Sequence, residues 1–329
     1  MRTIFFRNRP TITATSSIAG PKECSGSIGK FIQTKLSDDM YGEKTFEKAE
    51  SRMLFTSIKN SIINAGKNES DIDAIISGDL LDQIIASTFS ARNFDTGYLG
   101  VYNACATFAE ALTLGATLID GNYMNNVVCA ASSHFSSAER QYRFPLELGC
   151  TRPPQSQWTV TGAGSCVLAS EGKGPKITAA TIGKIVDYGI TDANNMGAAM
   201  APAALNTLLT LFNDTKTNPE DYDLIVSGDL GTLGSRILKD LIWEKGFDIE
   251  KQHVDCGELV YNIAEQEYQG GSGAGCSALV FSSYLFDKLK KGKLKKIIIM
   301  ATGALLSSLS SQQGESIPGI AHAVVVEGE

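Results

Sequence analysis

The chain has 329 residues, 43% of them hydrophobic and 20% charged, the composition of an ordinary soluble globular protein long enough for a large core or two packed halves. Its formal charge is −7, from 29 basic and 36 acidic residues, which argues against nucleic acid as a partner. No run approaches the roughly 18 uninterrupted apolar residues of a membrane-spanning helix, and seven scattered cysteines without a C-x-x-C pair indicate neither a disulfide framework nor a zinc site.

In chain order, Met1 to Pro10 is basic but has no long apolar segment or small-residue cleavage site, so it is not expected to be a signal peptide, and cytosolic synthesis is the expectation. Residues 71–80 read DIDAIISGDL and residues 221–230 read DYDLIVSGDL. Asp73, Ser77, Gly78, Asp79 and Leu80 thus recur 150 positions later as Asp223, Ser227, Gly228, Asp229 and Leu230. Each copy is followed by a helical pattern headed by a cysteine and then by an apolar strand. The first runs from Cys105 to Gly121 and on to Asn126–Ala131; the second runs from Cys276 to Gly292 and on to Ile297–Ala301, with Cys and Gly both displaced by 171 positions. Strand, helix and strand in the same order twice predict duplicated α/β halves, 1–175 and 176–329. The helix after Cys105, ATFAEALTLGATLID, is small or apolar around nearly its whole circumference, with Glu110 its one interior charge, and is expected to be buried on every side. Its counterpart, SALVFSSYLF, is equally poor in charge. Packing the two helices between two sheets of short, continuous apolar strands gives a five-layer αβαβα sandwich.

Gly97 to Ala106 reads as a strand turning sharply into the first buried helix, with the Cys105 thiol at the helix N-terminus. The dipole there favours a thiolate, and free N–H groups can hold an oxyanion or a carboxylate. A buried structural cysteine is the alternative reading, and the duplicated setting favours the functional one. His134 follows the strand Val127–Ala131, whose C-terminal end is expected to open toward the same crevice; it reads either as a ligand contact or as a hydrogen-bonded structural residue. His322, in IPGIAH, divides in the same way, whereas His253 is assigned to a strand start. Arg140 and Arg143, in AERQYRFP, are candidate carboxylate clamps, because a guanidinium grips a carboxylate with two parallel hydrogen bonds, or else they pair with Glu139 or Glu147. The run Lys288–Lys296 reads as a solvated helix C-terminus, where cations suit the dipole.

With Cys105 in this duplicated setting, the chain resembles the thiolase superfamily, most nearly its β-ketoacyl synthase III branch. Thr161-Gly162-Ala163-Gly164-Ser165-Cys166-Val167-Leu168 is similar to that branch's glycine-rich strand, and Asn195-Met196-Gly197-Ala198-Ala199-Met200 to its pocket-capping segment. The resemblance implies a thiolase fold and brings Met196 to the pocket. It also implies a histidine after the strand Asp223–Ser227 and an asparagine near Gly270–Gly275; this chain has Gly228-Asp229 at the first and no asparagine at the second. Decarboxylative condensation needs such donors, and losing one oxyanion donor typically costs about a hundredfold to a thousandfold in rate. A non-catalytic binding site is therefore expected, with an acyltransferase or condensing enzyme using Cys105 as the alternative.

Further stretches, among them Ala19-Gly20-Pro21-Lys22-Glu23, Ser132-Ser133-His134, Gly189-Ile190-Thr191-Asp192, Ala199 to Ala204 and Ala301 to Ser307, resemble the stage V sporulation AD family. That resemblance implies binding of dipicolinate (pyridine-2,6-dicarboxylate), free or as its calcium chelate, and assistance with its uptake into the developing forespore. It also implies peripheral association with the spore inner membrane through other subunits of the stage V sporulation A channel, and, by analogy with the fold, a homodimer. The ligand set expected on this basis is Cys105, His134, Arg140, Arg143, Asp192, Met196, Asp229 and His322. Asp192 and Asp229 would meet calcium carried by the chelate, with aspartates bonded to backbone amides as the other reading. No EF-hand-like spacing occurs, so no stand-alone metal site is expected, nor a cofactor.

Overall fold

The structure is a computed structural model and describes residues 1–143, 145–262 and 268–329. Its first half runs β1 (Thr11–Ala19), α1 (Phe46–Asn64), β2 (Ala74–Gly78), α2 (Ile85–Ala91), β3 (Gly97–Gly100), α3 (Thr107–Asp120), β4 (Asn126–Ser133), α4 (Phe135–Tyr142) and β5 (Gly162–Ala169). The second half runs β6 (Lys176–Thr181), α5 (Met196–Thr215), β7 (Leu224–Ser227), α6 (Gly231–Trp243), β8 (His253–Asp255), α7 (Ala274–Val280), α8 (Phe286–Lys290), β9 (Lys296–Ala304) and β10 (Gly319–Glu327). The first five strands are ordered 3-2-4-5-1 and the second five 8-7-9-10-6, the same order shifted by five. In both, the first two pairs of that order, starting from the edge strand, are parallel and the last two antiparallel. The two sets are joined at the register pair Thr11 with Lys176, and the short N-terminal strand Thr3–Phe5 pairs antiparallel with Ala179–Thr181 of β6.

The helices form the other layers. α1 packs on β1, β4 and β5 from outside; α3 lies between the halves, touching β2 and β4 on one side and β9 and β10 on the other; α7 lies against β4 and β5; α5 covers β9 and β10, and α6 packs on α5 and touches β8. The sequence explains why. Strands such as Ile297–Ile299 and Val324–Val326 are buried on both faces and are built from β-branched residues, which suit a pleated, two-sided surface. The inner helices use small residues so that backbones approach. A methyl on Gly115 of α3 would sit 2.6 Å from Cys129 Sγ of β4, and one on Gly164 of β5 would sit 2.1 Å from the Ala278 carbonyl of α7. Phe108 of α3 and Phe281, which follows α7, join the two inner helices with ring centroids 5.7 Å apart.

Burial of α3 on every side does not hold. Glu110 is half-buried, and Leu114 and Thr117 are exposed; at i, i+4 and i+7 the three share one face. The sheet strands and α7 cover the rest of the circumference and leave that stripe to solvent.

Candidate functional site

Between β3 and α3 the chain makes a hard turn. Ala104 takes φ of +50°, a left-handed conformation that costs an alanine roughly 1–2 kcal/mol, and Cys105 follows it. The loop is pressed onto β9, where Gly303 makes room: a methyl there would lie 2.4 Å from the Asn103 carbonyl and 3.1 Å from Ala106 N. The Cys105 thiol is held in the interior by this clamp. It lines a cavity of about 40 Å³ with Leu80, Tyr102, Tyr142, Met196, Ala304 and Leu306 around it, and Glu139, Arg143 and Ser272 at its polar side.

Below the thiol lies Asp229, buried at the position after Gly228 of the second repeat. Its Oδ2 accepts from Ser272 Oγ (2.8 Å) and Gly273 N (3.2 Å), and its Oδ1 from Thr302 Oγ1 (2.7 Å). Ser272 Oγ is also 3.8 Å from Cys105 Sγ. The thiol therefore faces a carboxylate and hydroxyls. Burial, then the Asp229 charge, push the Cys105 thiol well above its ordinary range, and burial raises Asp229 as well. The expected thiolate at a helix N-terminus is thus reversed, because desolvation and a neighbouring anion outweigh the dipole. Among the described residues, no His or Asn side chain lines this cavity.

Glu139 and Arg143 also line a second cavity, a vestibule of about 150 Å³, with Phe135, Leu146, Cys150, Arg152 and Asn194 among others. Glu139 takes Arg143 Nη1 at 2.5 Å and Arg152 Nη1 at 2.7 Å, all three side chains being at most 15% exposed. Two guanidiniums thus face one carboxylate. Both also donate to the Gln157 carbonyl, and the guanidinium carbon of Arg152 lies 5.2 Å from the Trp158 ring centroid and 5.5 Å from that of Phe135, themselves stacked 3.7 Å apart. Arg152 Nε is nevertheless buried without an acceptor.

Cys105, Arg143, Met196 and, just beneath, Asp229 are brought together; the other four expected residues stand elsewhere. His134 caps α4: Ser136 N donates to Nδ1 (3.1 Å), which leaves the ring proton on Nε2 to donate to the Asp39 carbonyl (2.9 Å). Arg140 is exposed and pairs with Glu47 on the outer surface. Asp192 accepts from Asn194 N (2.9 Å) and Gln155 Nε2 (3.1 Å) in a surface turn. His322 accepts from Gly183 N at Nδ1 (3.1 Å), and its Nε2 lies 3.3 Å from Asn103 Nδ2; burial lowers its pKa to about 4. His253 starts β8, as expected, and donates to Ser227 Oγ (2.9 Å). Arg152, Tyr142 and Ser272 are site residues that sequence reasoning passed over, whereas Glu139, the alternative partner read for the arginines, does pair with Arg143. Arg152 carried one signal, a lone cation before Pro153-Pro154, but nothing in the spacing ties it to Arg143. Among the described residues no group of three or more His, Cys, Asp or Glu could hold a metal.

A family model described as stage V sporulation protein AD matches residues 1–327. Stage V sporulation protein AD of Bacillus subtilis (strain 168) is 39% identical over 327 residues, covering 99% of this chain and 96% of that one. Among solved structures, 3-oxoacyl-[acyl-carrier-protein] synthase III from Aquifex aeolicus VF5 is similar with a TM-score of 0.59 at 14% identity, over 97% of this chain and 99% of the other. A single-residue variant of Xanthomonas campestris OleA reaches 0.63 at 14% identity, over 98% of both chains. At those identities the structural likeness establishes the thiolase fold alone.

Proposed function

This chain belongs to the stage V sporulation protein AD family, and from that premise we propose that it binds dipicolinate, free or as its calcium chelate, without turning it over, for uptake into the developing spore. The observation that carries this reading is the buried pair Arg143 and Arg152, which share one carboxylate and keep an N–H without an acceptor. A flat dianion supplies the missing acceptors, and the stacked Phe135 and Trp158 lie beside Arg152 to meet its ring. The cavity alone admits roughly one water-sized body, so the ligand occupies the vestibule and cavity together, with one carboxylate replacing Glu139 on Arg143. Asp229 and the protonated thiol then line the inner end. Partner subunits of the stage V sporulation A channel, and a homodimer formed across the free edge of β3 and the exposed stripe of α3, belong to the same reading.

The retained thiol favours a second reading, an acyltransferase or condensing enzyme. Calorimetric titration with dipicolinate, alongside intact-mass analysis after exposure to acyl-coenzyme A, separates the two. Saturable heat with an unchanged mass is expected. A stable acyl adduct on Cys105 sinks the binding reading.

A further inference from the structure

The ten residues 287–296 carry six lysines and one aspartate, a charge of +5, so the other 319 residues together carry −12. We propose that this lysine run is a docking surface for anionic lipid headgroups, by which the chain itself rests on a membrane. The run closes α8 and opens β9 with its apolar residues turned inward: Leu289 and Leu294 are buried, whereas Lys290, Lys291, Lys293 and Lys295 are exposed. Most nearby acids are already engaged. Asp287 pairs with Lys291 at 2.7 Å, Asp223 takes the backbone N–H groups of Lys295 and Lys296 (2.5 and 3.0 Å), and Glu327, opposite Lys296 in the ladder, faces Arg9 at 3.5 Å. Lys288 and Lys290 lie over the Tyr284 and Phe286 rings, 4.2 and 5.8 Å from the centroids, which stiffens their stems without neutralising them. Lys293 and Lys295 have no ion pair among the described residues.

The chemistry favours a lipid surface over nucleic acid. The cations are all lysines, point charges without the bidentate fork that reads bases, and the run itself holds no aromatic residue on which a base could stack. A flat surface also touches one face only, which leaves most of the −12 farther away than the Debye length of about 8 Å. Placement agrees. Lys296 opens β9 and Ala304, on the cavity wall, closes it, so patch and cavity stand at opposite ends of a nine-residue strand, roughly 26 Å apart, and the cleft faces away from the docked surface. With no apolar side chain projecting from the run, attachment is electrostatic and salt-sensitive.

The test is sedimentation of the full chain with vesicles of two parts phosphatidylcholine to one part phosphatidylglycerol. Wild type is expected to pellet at low salt, to be released at high salt and to ignore pure phosphatidylcholine. Lys290→Glu/Lys293→Glu/Lys295→Glu should weaken binding by about a hundredfold or more, since each lysine near an anionic surface contributes about 1 kcal/mol. Lys44→Glu/Lys59→Glu/Lys67→Glu, equal in charge but placed on the first half, should bind as wild type does. If the first variant fails to fold, Lys293→Glu/Lys295→Glu should still lose at least about tenfold. The proposal is overturned if wild type ignores the anionic vesicles, if the two triple variants lose binding equally, or if single-stranded DNA at matched charge binds more tightly than vesicles.

Discussion

A buried carboxylate beside a buried thiol sets the chemistry of the site at the scale of single residues. Burial, with the Asp229 carboxylate beside it, keeps the Cys105 proton in place, so alkylation of Cys105 by iodoacetamide should be slow at neutral pH and still rising through about pH 9. Asp229→Asn removes the charge and should speed it several-fold; peptide mass spectrometry separates Cys105 from the exposed Cys150. A rate that levels off below about pH 8 would contradict the assignment. Glu139 competes with the ligand for both arginines. Glu139→Gln should tighten dipicolinate binding by up to about tenfold while lowering the stability of the free protein by roughly 3 kcal/mol, because it strands two buried cations. Unchanged affinity in a folded variant would remove Glu139 from the binding step. Cys105 was legible in the sequence because duplication singled it out. The histidines were not: a neutral imidazole capping a helix and one contacting a ligand have the same residue type and similar spacing, and only the placed partners Ser136 and Gly183 distinguish them.

At the scale of elements, close backbone contact holds the layers together. Gly164→Ala puts a methyl against the Ala278 carbonyl and carbon and should force α7 off β5, at a cost of roughly 3 kcal/mol or more in urea unfolding. Gly66→Ala, at an exposed turn with open space, should cost only the left-handed penalty of about 1–2 kcal/mol. Equal losses would mean that the inner packing is looser than described. α1 brings Glu50 into the core, where Ser132 and Ser137 donate to it and Asp79 of the first repeat lies near. Burial, then the Asp79 charge, raise Glu50 to about 8. A carboxyl held above its unfolded value binds its proton more tightly when folded, so stability should fall as pH rises from about 4.5 to 8. Glu50→Gln should flatten that slope and exceed wild type at pH 8 but not near pH 4.5; thermal melts across the range read it out. The strands and inner helices were legible from apolar runs and small residues. The exposed stripe of α3 was not, because a periodicity that is apolar all round does not reveal which side lacks a neighbour.

At the scale of the whole molecule, one topology used twice places a loop from each half at a shared cleft: Cys105 from the first, Asp229 and Ser272 from the second. The repeat offsets made that duplication visible before any coordinates. The joining of both halves, at Thr11 with Lys176 and at Thr3–Phe5 with Ala179–Thr181, left no pattern in the sequence. Size is a direct check on the proposed homodimer, since sedimentation equilibrium should give twice the 35.1 kDa of one chain, and a Leu114→Glu variant should shift it toward the monomer. A wild-type monomer at micromolar concentration would remove the dimer from the account. The cleft itself is tested most directly by crystals grown with dipicolinate. The account predicts ring density between Arg143, Arg152 and Cys105, with Glu139 turned away from Arg143. Density at any other place, or an unaltered Glu139–Arg143–Arg152 cluster at saturating ligand, would contradict it.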